Sequence, residues 1–494
     1  MSEKVDVLFI NPGDRKQIYQ TLADEFSGIE PPVFAGLFAT YLRRKGRSAA
    51  IIDAPALGLS AAKVAEMATG EFSAKLVVIV VYGFQPSAST QNMGAAGRIA
   101  VAIKELAPHL PVMMTGTHPA ALPDRTMRDE AIDFVCDLEG PVTILKTLEA
   151  IEARGGFANV PSLWWREEGH IIRPRAAEAL VTDLDGEMPG IAWDLLPMGN
   201  YRAHNWHCFD HIDERTPYAA IHTSLGCPFR CNFCCINAPF GKPSYRMWSP
   251  QTVIREIDFL VERYGVKNIK FVDEMFVLNH RHVVELCDLL ASRDYKVNIW
   301  AYARVDTVKD EFLDKLKNAG INWLCLGIES ASEHVRDGAR KRYGNDDIID
   351  VCRRIENAGL YIIGNYIFGL PDDSEQRMKE TLDLALELNA EFINFYSAMS
   401  YPGSQLYQQA IDANTPVPDQ WHQYSQHSYD TTPLPNRHCT SDEIVKFRDQ
   451  AWQTYFESPR YLDMVRGKFG QKVVDHIQRM ASVPLPRRWR DQQS

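Results

Sequence analysis

The chain has 494 residues, 45% hydrophobic and 24% charged, which excludes disordered and fibrous classes; at roughly 150 residues per domain it gives two or three domains. Its 53 basic and 64 acidic residues leave a net charge of −11, which argues against a surface built for nucleic-acid phosphates and favours a small-molecule substrate. No apolar run approaches the roughly 20 residues that span a bilayer, and the opening Met1-Ser-Glu-Lys-Val-Asp6 lacks a secretory pattern, so a cytoplasmic protein without a membrane partner is expected.

Along residues 1–155, continuous apolar runs at 5–10, 49–52, 76–81, 112–114 and 134–135 read as buried parallel strands. Helical patterns at 32–45, 61–69, 89–106 and 142–154 cross between them. This predicts an α/β fold opening with a doubly wound parallel sheet, which binds ligands outside the carboxyl ends of its strands. Those ends are Asn11-Pro-Gly13, Asp53-Ala54, Tyr82-Gly-Phe-Gln85, Gly116-Thr-His118 and 137–140.

Residues 156–215 carry Trp164, Trp165 and several prolines with little periodicity, and read as a connector. Over 216–405 a second βα series follows, with strands near 219–224, 268–272, 297–302, 322–328, 361–368 and 391–396 and helices such as 251–263 and 375–388 between them. Six such units predict a partial (βα)6 barrel with its chemistry at the carboxyl strand ends. Residues 406–494 read as a mostly helical C-terminal region ending in a loose Pro/Arg-rich tail from Pro484. Within it, Trp421, His422, Tyr424, His427 and Tyr429 are readable as pocket lining or as surface packing.

Ten cysteines in so long a chain do not suit a disulfide framework, and the one dense group, between 227 and 235, points to metal. Cys227-Pro-Phe-Arg-Cys231-Asn-Phe-Cys234 directly follows the first strand of the second series, a spacing that arises by chance with a probability of roughly 0.004. A structural zinc site would need a fourth ligand, and no second C-x-x-C is present to supply it. Three thiolates on a four-iron cluster leave one iron open to a ligand. Cys235, adjacent to the motif, reads as packing.

At these residues the chain resembles the radical S-adenosylmethionine (SAM) superfamily, whose C-x-x-x-C-x-aromatic-C loop is matched here including Phe233; the resemblance covers roughly 218–400. It implies a [4Fe–4S] cluster on Cys227, Cys231 and Cys234, with SAM on the open iron. Reductive cleavage of SAM to a 5′-deoxyadenosyl radical follows, with an electron donor such as flavodoxin or ferredoxin. The cofactor then supplies reactivity, and the protein orientation and exclusion of water. On the same basis Asp273 and Glu274, ending the second strand, suit the ammonium group of SAM. Arg304 at the third strand end suits a carboxylate, and Glu329-Ser330 at the fourth resembles the ribose contact. Each is also readable as a surface ion pair. Gly364-Asn-Tyr-Ile-Phe-Gly369-Leu-Pro371 resembles the stretch whose backbone approaches adenine, where glycine permits close contact. Residues 401–404 resemble the closing P-G-[ST] turn.

Residues 30–47, followed by Ile51-Ile-Asp53-Ala54, resemble the start of cobalamin-binding domains fused to radical enzymes, and Thr115-Gly-Thr-His118 resembles that group's fourth-strand G-G-x-H loop. The D-x-H-x-x-G stretch that places a histidine on cobalt is absent, and residues 11–14 hold no histidine. The resemblance therefore implies cobalamin without a histidine below cobalt. Tyr82, Phe84 and Gln85 are candidates for that face or are ordinary packing; Gly116 and His118 complete the set, His118 reading better as a hydrogen-bonding loop residue than as a ligand.

The domain pair implies a cobalamin-dependent radical SAM methyltransferase acting on an unactivated carbon of a small molecule. The alternative is a cyclisation or rearrangement without methyl transfer, as in anaerobic porphyrin-ring cyclases, and a redox-sensing cluster protein is a third reading. A methylthiotransferase would need further N-terminal cysteines, and only Cys136 precedes Cys208.

Overall fold

The structure, a computed structural model, describes residues 2–83, 85–177 and 179–491. Five parallel strands build the first sheet: β1 (Glu3–Asn11), β2 (Ala49–Asp53), β3 (Phe72–Val81), β4 (Val112–Gly116) and β5 (Phe134–Cys136), in the order β2-β1-β3-β4-β5. Val7, Leu8, Phe9 and Ile10 of β1 are all fully buried, which is what helices on both faces require of a central strand. The chain runs from β1 to β2 on one side and then crosses to β3 on the other, so the crevice beyond the carboxyl ends of β1 and β3 is the switch point of the sheet.

The stretch expected to be a connector adds two strands to this sheet. β6 (Leu163–Glu167) pairs antiparallel with β5, and β7 (His170–Ile172) antiparallel with β6. Trp164 and Trp165, adjacent in sequence, point to opposite faces and are both buried, so the apolar alternation that marks a strand was hidden in a pair of neighbours.

The second sheet follows β8 (Tyr218–Ile221) and a short antiparallel ladder of β9 (Ser224–Leu225) with β10 (Arg246–Met247). Its remaining strands are β11 (Asn268–Phe271), β12 (Asn298–Arg304), β13 (Ile321–Glu329), β14 (Tyr361–Phe368) and β15 (Phe392–Ser397). All six pair in parallel in the order β15-β14-β13-β12-β11-β8, a curled half-barrel. The helices between them carry their own signals. In Pro250–Tyr264, the Ser249 side chain accepts from the Thr252 N–H, Pro250 opens the first turn, Val253, Ile254, Ile257 and Leu260 form the buried face, and Gly265 at φ +65° ends it.

The C-terminal region is helical, with Ser441–Phe456, Pro459–Phe469 and Gln471–Ser482 as its main helices. The tail expected to be loose is docked: Arg487 is fully buried, bonded to Asp449 and to the carbonyls of Ser428 and Gln426. Three arginines and two prolines after 483 gave no sign that one guanidinium had a buried acid waiting for it.

The first sheet leans against the open side of the half-barrel. Glu30 and Lys270 of β11 form an ion pair at 3.0 Å with both side chains almost wholly buried, and His204 lies 3.3 Å from the same carboxylate. Glu139 meets Arg246 at 2.7 Å, and Tyr201 donates to Asp53 at 2.8 Å. A buried carboxylate left without its cation is costly, so Lys270→Met is expected to destabilise the protein by about 3–5 kcal/mol in urea unfolding, and the Glu30→Gln/Lys270→Met pair by much less.

Candidate functional site

A cavity of about 280 Å³ opens at the carboxyl ends of the half-barrel strands. Cys227, Cys231 and Cys234 all line it, on the loop that begins at Gly226, where φ is +84° and an added Cβ would meet the Ser244 carbonyl at 2.7 Å. None of the ten cysteines is in a disulfide. Burial pushes the Cys227 thiol up to about 11 and also raises that of Cys234 well above its ordinary value, so a free thiolate is disfavoured at both positions unless a cation accompanies it. Among the described residues no Cys, His, Asp and Glu side chains gather tightly enough to chelate a single ion. The thiols instead face a shared space, a donor set suited to a multinuclear cluster with a position left open. Cys235, expected to pack away, is buried but also reaches this cavity wall.

The acidic pair divides. Glu274 faces the cavity, and burial raises its carboxyl to about 8, leaving it a neutral acid at pH 7. Asp273 is wholly buried behind the wall and accepts from the Thr223 N–H, the Thr223 hydroxyl and the Ser224 hydroxyl, each at 2.6 Å. It fixes the strand end from which the cysteine loop departs. Arg304 does line the cavity, but its fork is filled by Asp306 at 2.8 and 2.9 Å. Its remaining nitrogen lies 3.7 Å from the Cys231 sulfur, and the guanidinium sits 3.9 Å above the Phe229 ring.

Glu329 reaches the cavity because β13 slips register against β14 between Gly327 and Glu329, and Glu329 itself takes φ +66°. A bulge of this kind re-aims a side chain at some cost in backbone strain. Lys341, buried and on the same wall, pairs with Glu329 and also donates to the Gly327 carbonyl at 3.2 Å. Phe233 lines the cavity too. Ser330 does not: its hydroxyl is bonded to Thr381 and accepts from the Ser332 N–H. Gly364 and Gly369 also lie off the wall. A Cβ on Gly364 would meet the Tyr366 ring at 2.8 Å, while Gly369 makes the turn after β14 at φ +84°, its N–H bonded to Asp373. Their stretch presents Asn365 and Ile367 instead.

Tyr302, Cys325, Tyr396, Gln426 and Lys341 line the cavity and were missed. Strand alternation is the signal for three of them: Tyr302 lies two residues before Arg304, Cys325 two before Gly327, and Tyr396 two after Asn394, all facing inward. Lys341, between Arg340 and Arg342, looks like a solvated run.

At the switch point of the first sheet lies a smaller cavity of about 60 Å³, lined by Asn11, Pro12 and Gly13 after β1 and by Tyr82 and Gly83 after β3. A third, of about 180 Å³, fills the half-barrel interior. It shares Tyr19 and Gln91 with the first-sheet cavity and Gln85, Tyr302, Cys325, Tyr396 and Gln426 with the cysteine cavity. The three adjoin as a series between the sheets. Side-chain amides of Asn11, Gln85, Gln91 and Asn92 along it match the amide fringe of a corrin, and no histidine lines its first-sheet end.

Tyr82 contributes to the wall of the first-sheet cavity but is otherwise held by packing: its ring stacks on Phe34 at 3.8 Å and its hydroxyl donates to the Glu139 carbonyl at 2.7 Å. Phe84 lies outside the described residues. His118 is buried, with Nδ1 3.1 Å from the Thr90 hydroxyl and its N–H bonded to Ser89, and burial lowers it to about 3. Trp421 covers its ring. Of the other aromatic C-terminal residues, His427 lines the interior cavity, Tyr424 is buried packing and Tyr429 is exposed.

The Radical SAM superfamily model matches residues 221–385, and the B12 binding domain model residues 19–146. The chain is 28% identical to the uncharacterized methyltransferase PH0819 of Pyrococcus horikoshii, over 87% of this chain and 89% of the other. It is 25% identical to the anaerobic magnesium-protoporphyrin IX monomethyl ester cyclase of Rubrivivax gelatinosus, over 82% of this chain and 70% of the other. Its fold is similar to that of the radical SAM methyltransferase TsrM from Kitasatospora setae, solved with cobalamin and a [4Fe–4S] cluster bound, with a TM-score of 0.64 at 19% identity over 84% of this chain and 78% of that one.

At Gly116 φ is +143° and an added Cβ would lie 2.1 Å from the Val81 carbonyl, so the glycine serves the close approach of β4 to the end of β3. Gly116→Ala is expected to cost more than about 2 kcal/mol in urea unfolding.

Proposed function

We propose that this chain, in which a B12-binding domain is joined to a radical SAM domain, is a cobalamin-dependent enzyme that methylates an unactivated carbon of a small-molecule substrate. The observation that carries the reading is the series of adjoining cavities from the switch point of the first sheet, through the half-barrel interior, to the three cysteines. Two cofactors held in separate domains can act on one substrate only if a common space connects them.

Cys227, Cys231 and Cys234 would hold the [4Fe–4S] cluster, with Arg304 beside Cys231 offsetting thiolate charge. Phe233, Glu274, Glu329 and Arg304 would surround SAM. Asp273 acts one step back, by fixing Thr223 and Ser224. Ser330, Gly364 and Gly369 support this wall from behind. Gln85 stands where both domains meet and would face the corrin. Once bound, the cluster supplies the electron that cleaves the sulfonium for hydrogen abstraction, and cobalamin supplies the methyl group. The protein's part is to hold these groups in register and keep water from them, and Val272, Met275 and Ile367 give the cavity wall its apolar character. A one-electron donor of the flavodoxin or ferredoxin kind and a cytoplasmic setting complete the proposal. Among the described residues no helix is long and apolar enough to cross a membrane.

The relative named as a cyclase keeps ring closure as the second reading. Anaerobically reconstituted protein with methyl-labelled SAM separates the two. Methyl transfer is expected to leave labelled product one methylene heavier, whereas 5′-deoxyadenosine with an unlabelled, altered product would select cyclisation and overturn the proposal.

Alanine at Cys227, Cys231 or Cys234 is expected to strip iron and abolish SAM cleavage, while Cys235→Ala retains both, although all four thiols share the cavity. Glu274 supplies a pH test. Its carboxyl is neutral below about 8, so docking an ammonium against it releases a proton. SAM affinity by equilibrium dialysis should then rise up to about tenfold per pH unit toward that value and level off above it, and Glu274→Gln should flatten the profile.

A further inference from the structure

We infer that the substrate is a monoanionic amphipath, a carboxylate on an apolar or aromatic body, anchored by Arg448 in the half-barrel interior; this rests on the enzymatic reading above. The interior cavity lies between the cysteine cavity and the first-sheet cavity, so it is the place from which a substrate can reach both cofactor sites. Its walls include Trp300, Phe392, Phe395 and Trp452, surfaces suited to a flat apolar group.

Its charges do not balance. Lys270 and Arg448 are the cations among the described lining residues, and that lining holds no carboxylate. Lys270 is neutralised by Glu30 at 3.0 Å. Arg448, on the helix Ser441–Phe456 that covers β15, is 5% exposed. Its Nε donates to the Phe395 carbonyl at 2.8 Å and one Nη to Asp449 at 3.0 Å, and the other Nη bonds to no described residue. Asp449 is shared, because Arg487 takes both of its oxygens at 2.8 and 2.9 Å. Two buried guanidinium groups thus face one carboxylate. His427 and His204, also on the lining, are held neutral by burial and add no charge.

One positive charge is left over in a low-dielectric interior, a costly arrangement unless an anion joins it. A carboxylate balances it, and a dianionic phosphate overshoots. The Tyr302 and Tyr396 hydroxyls, which make no hydrogen bond to described residues, line the passage toward the cysteines and can take a polar substituent of the body.

The test is calorimetric titration of the anaerobically reconstituted full-length protein with 4-phenylbutyrate, its neutral amide, and 3-phenylpropylphosphonate, at a pH high enough for the phosphonate to be a dianion. A hydrogen bond to a charged group at this depth should make the carboxylate bind at least about tenfold tighter than the amide, and Arg448→Gln should bring the two within about twofold. Arg448→Lys, which keeps the charge but not the fork, should retain part of the preference. Equal binding of acid and amide by the native protein, tighter binding of the phosphonate, or an undiminished preference in Arg448→Gln would each overturn the anchor. Should Arg448→Gln fail to fold, the native acid-to-amide ratio and Arg448→Lys decide. SAM cleavage by the native protein is measured separately: its absence with the acid preference intact sinks the enzymatic reading alone, and the reverse sinks the anchor alone.

Discussion

Six parallel strands do not close a barrel, so β8 and β15 are left with unpaired edges and the interior open along one side. The rest of the chain is arranged around that gap. On the β15 side, the side-chain amide of Gln426 accepts from the Ser397 N–H at 2.7 Å and donates to its carbonyl at 3.1 Å, as a neighbouring strand would, and Arg448 takes the Phe395 carbonyl. On the β8 side, Phe34 packs edge-on against His222, and Glu30 reaches Lys270. Closure by foreign elements is why residues from the first sheet and from the C-terminal region share walls with the strands of the half-barrel.

The same closure sets the electrostatics. A chain with net charge −11 keeps several cations deep inside, each tied to a named acid: Lys270 to Glu30, Lys341 to Glu329, Arg304 to Asp306 and Arg487 to Asp449. Burial of such pairs adds little to stability on balance, because desolvation cancels most of the attraction, but it fixes where each polar atom points. The Glu329–Lys341 pair is the clearest case, since it holds a residue with positive φ at the lip of the cavity. Fixed polar groups on a largely apolar wall suit chemistry that needs its reactants held in one orientation.

Much of this order was legible in the sequence because parallel strands buried on both faces are apolar throughout. Each of the five expected strands of the first sheet and six of the half-barrel is present, displaced by a few residues at the ends. What was not legible depends on partners distant in the chain. Trp164 and Trp165 form a strand because β5 offers an edge, and Arg487 is buried because Asp449 lies 38 residues away on a packed helix. The cysteine loop was readable because its ligands are close neighbours. Tyr302 and Tyr396, 94 positions apart by number, meet only when the sheet curls.

Adjacent polar residues at the strand ends divide between the cavity and the interior of the wall. Asp273 and Glu274 are adjacent beyond the end of β11, and Glu329 and Ser330 straddle the end of β13; in each pair one residue faces the cavity and the other faces away. The turn after β11 and the left-handed φ of Glu329 set which member of each pair points inward. The residue turned inward is not the same in the two pairs: the second member faces the cavity after β11, whereas the first does at β13, where the register slips. Local backbone irregularity, rather than residue type, therefore decides which carboxylate faces the cavity. The one turned away still matters, because Asp273 sets the starting point of the loop on which the three thiols depend.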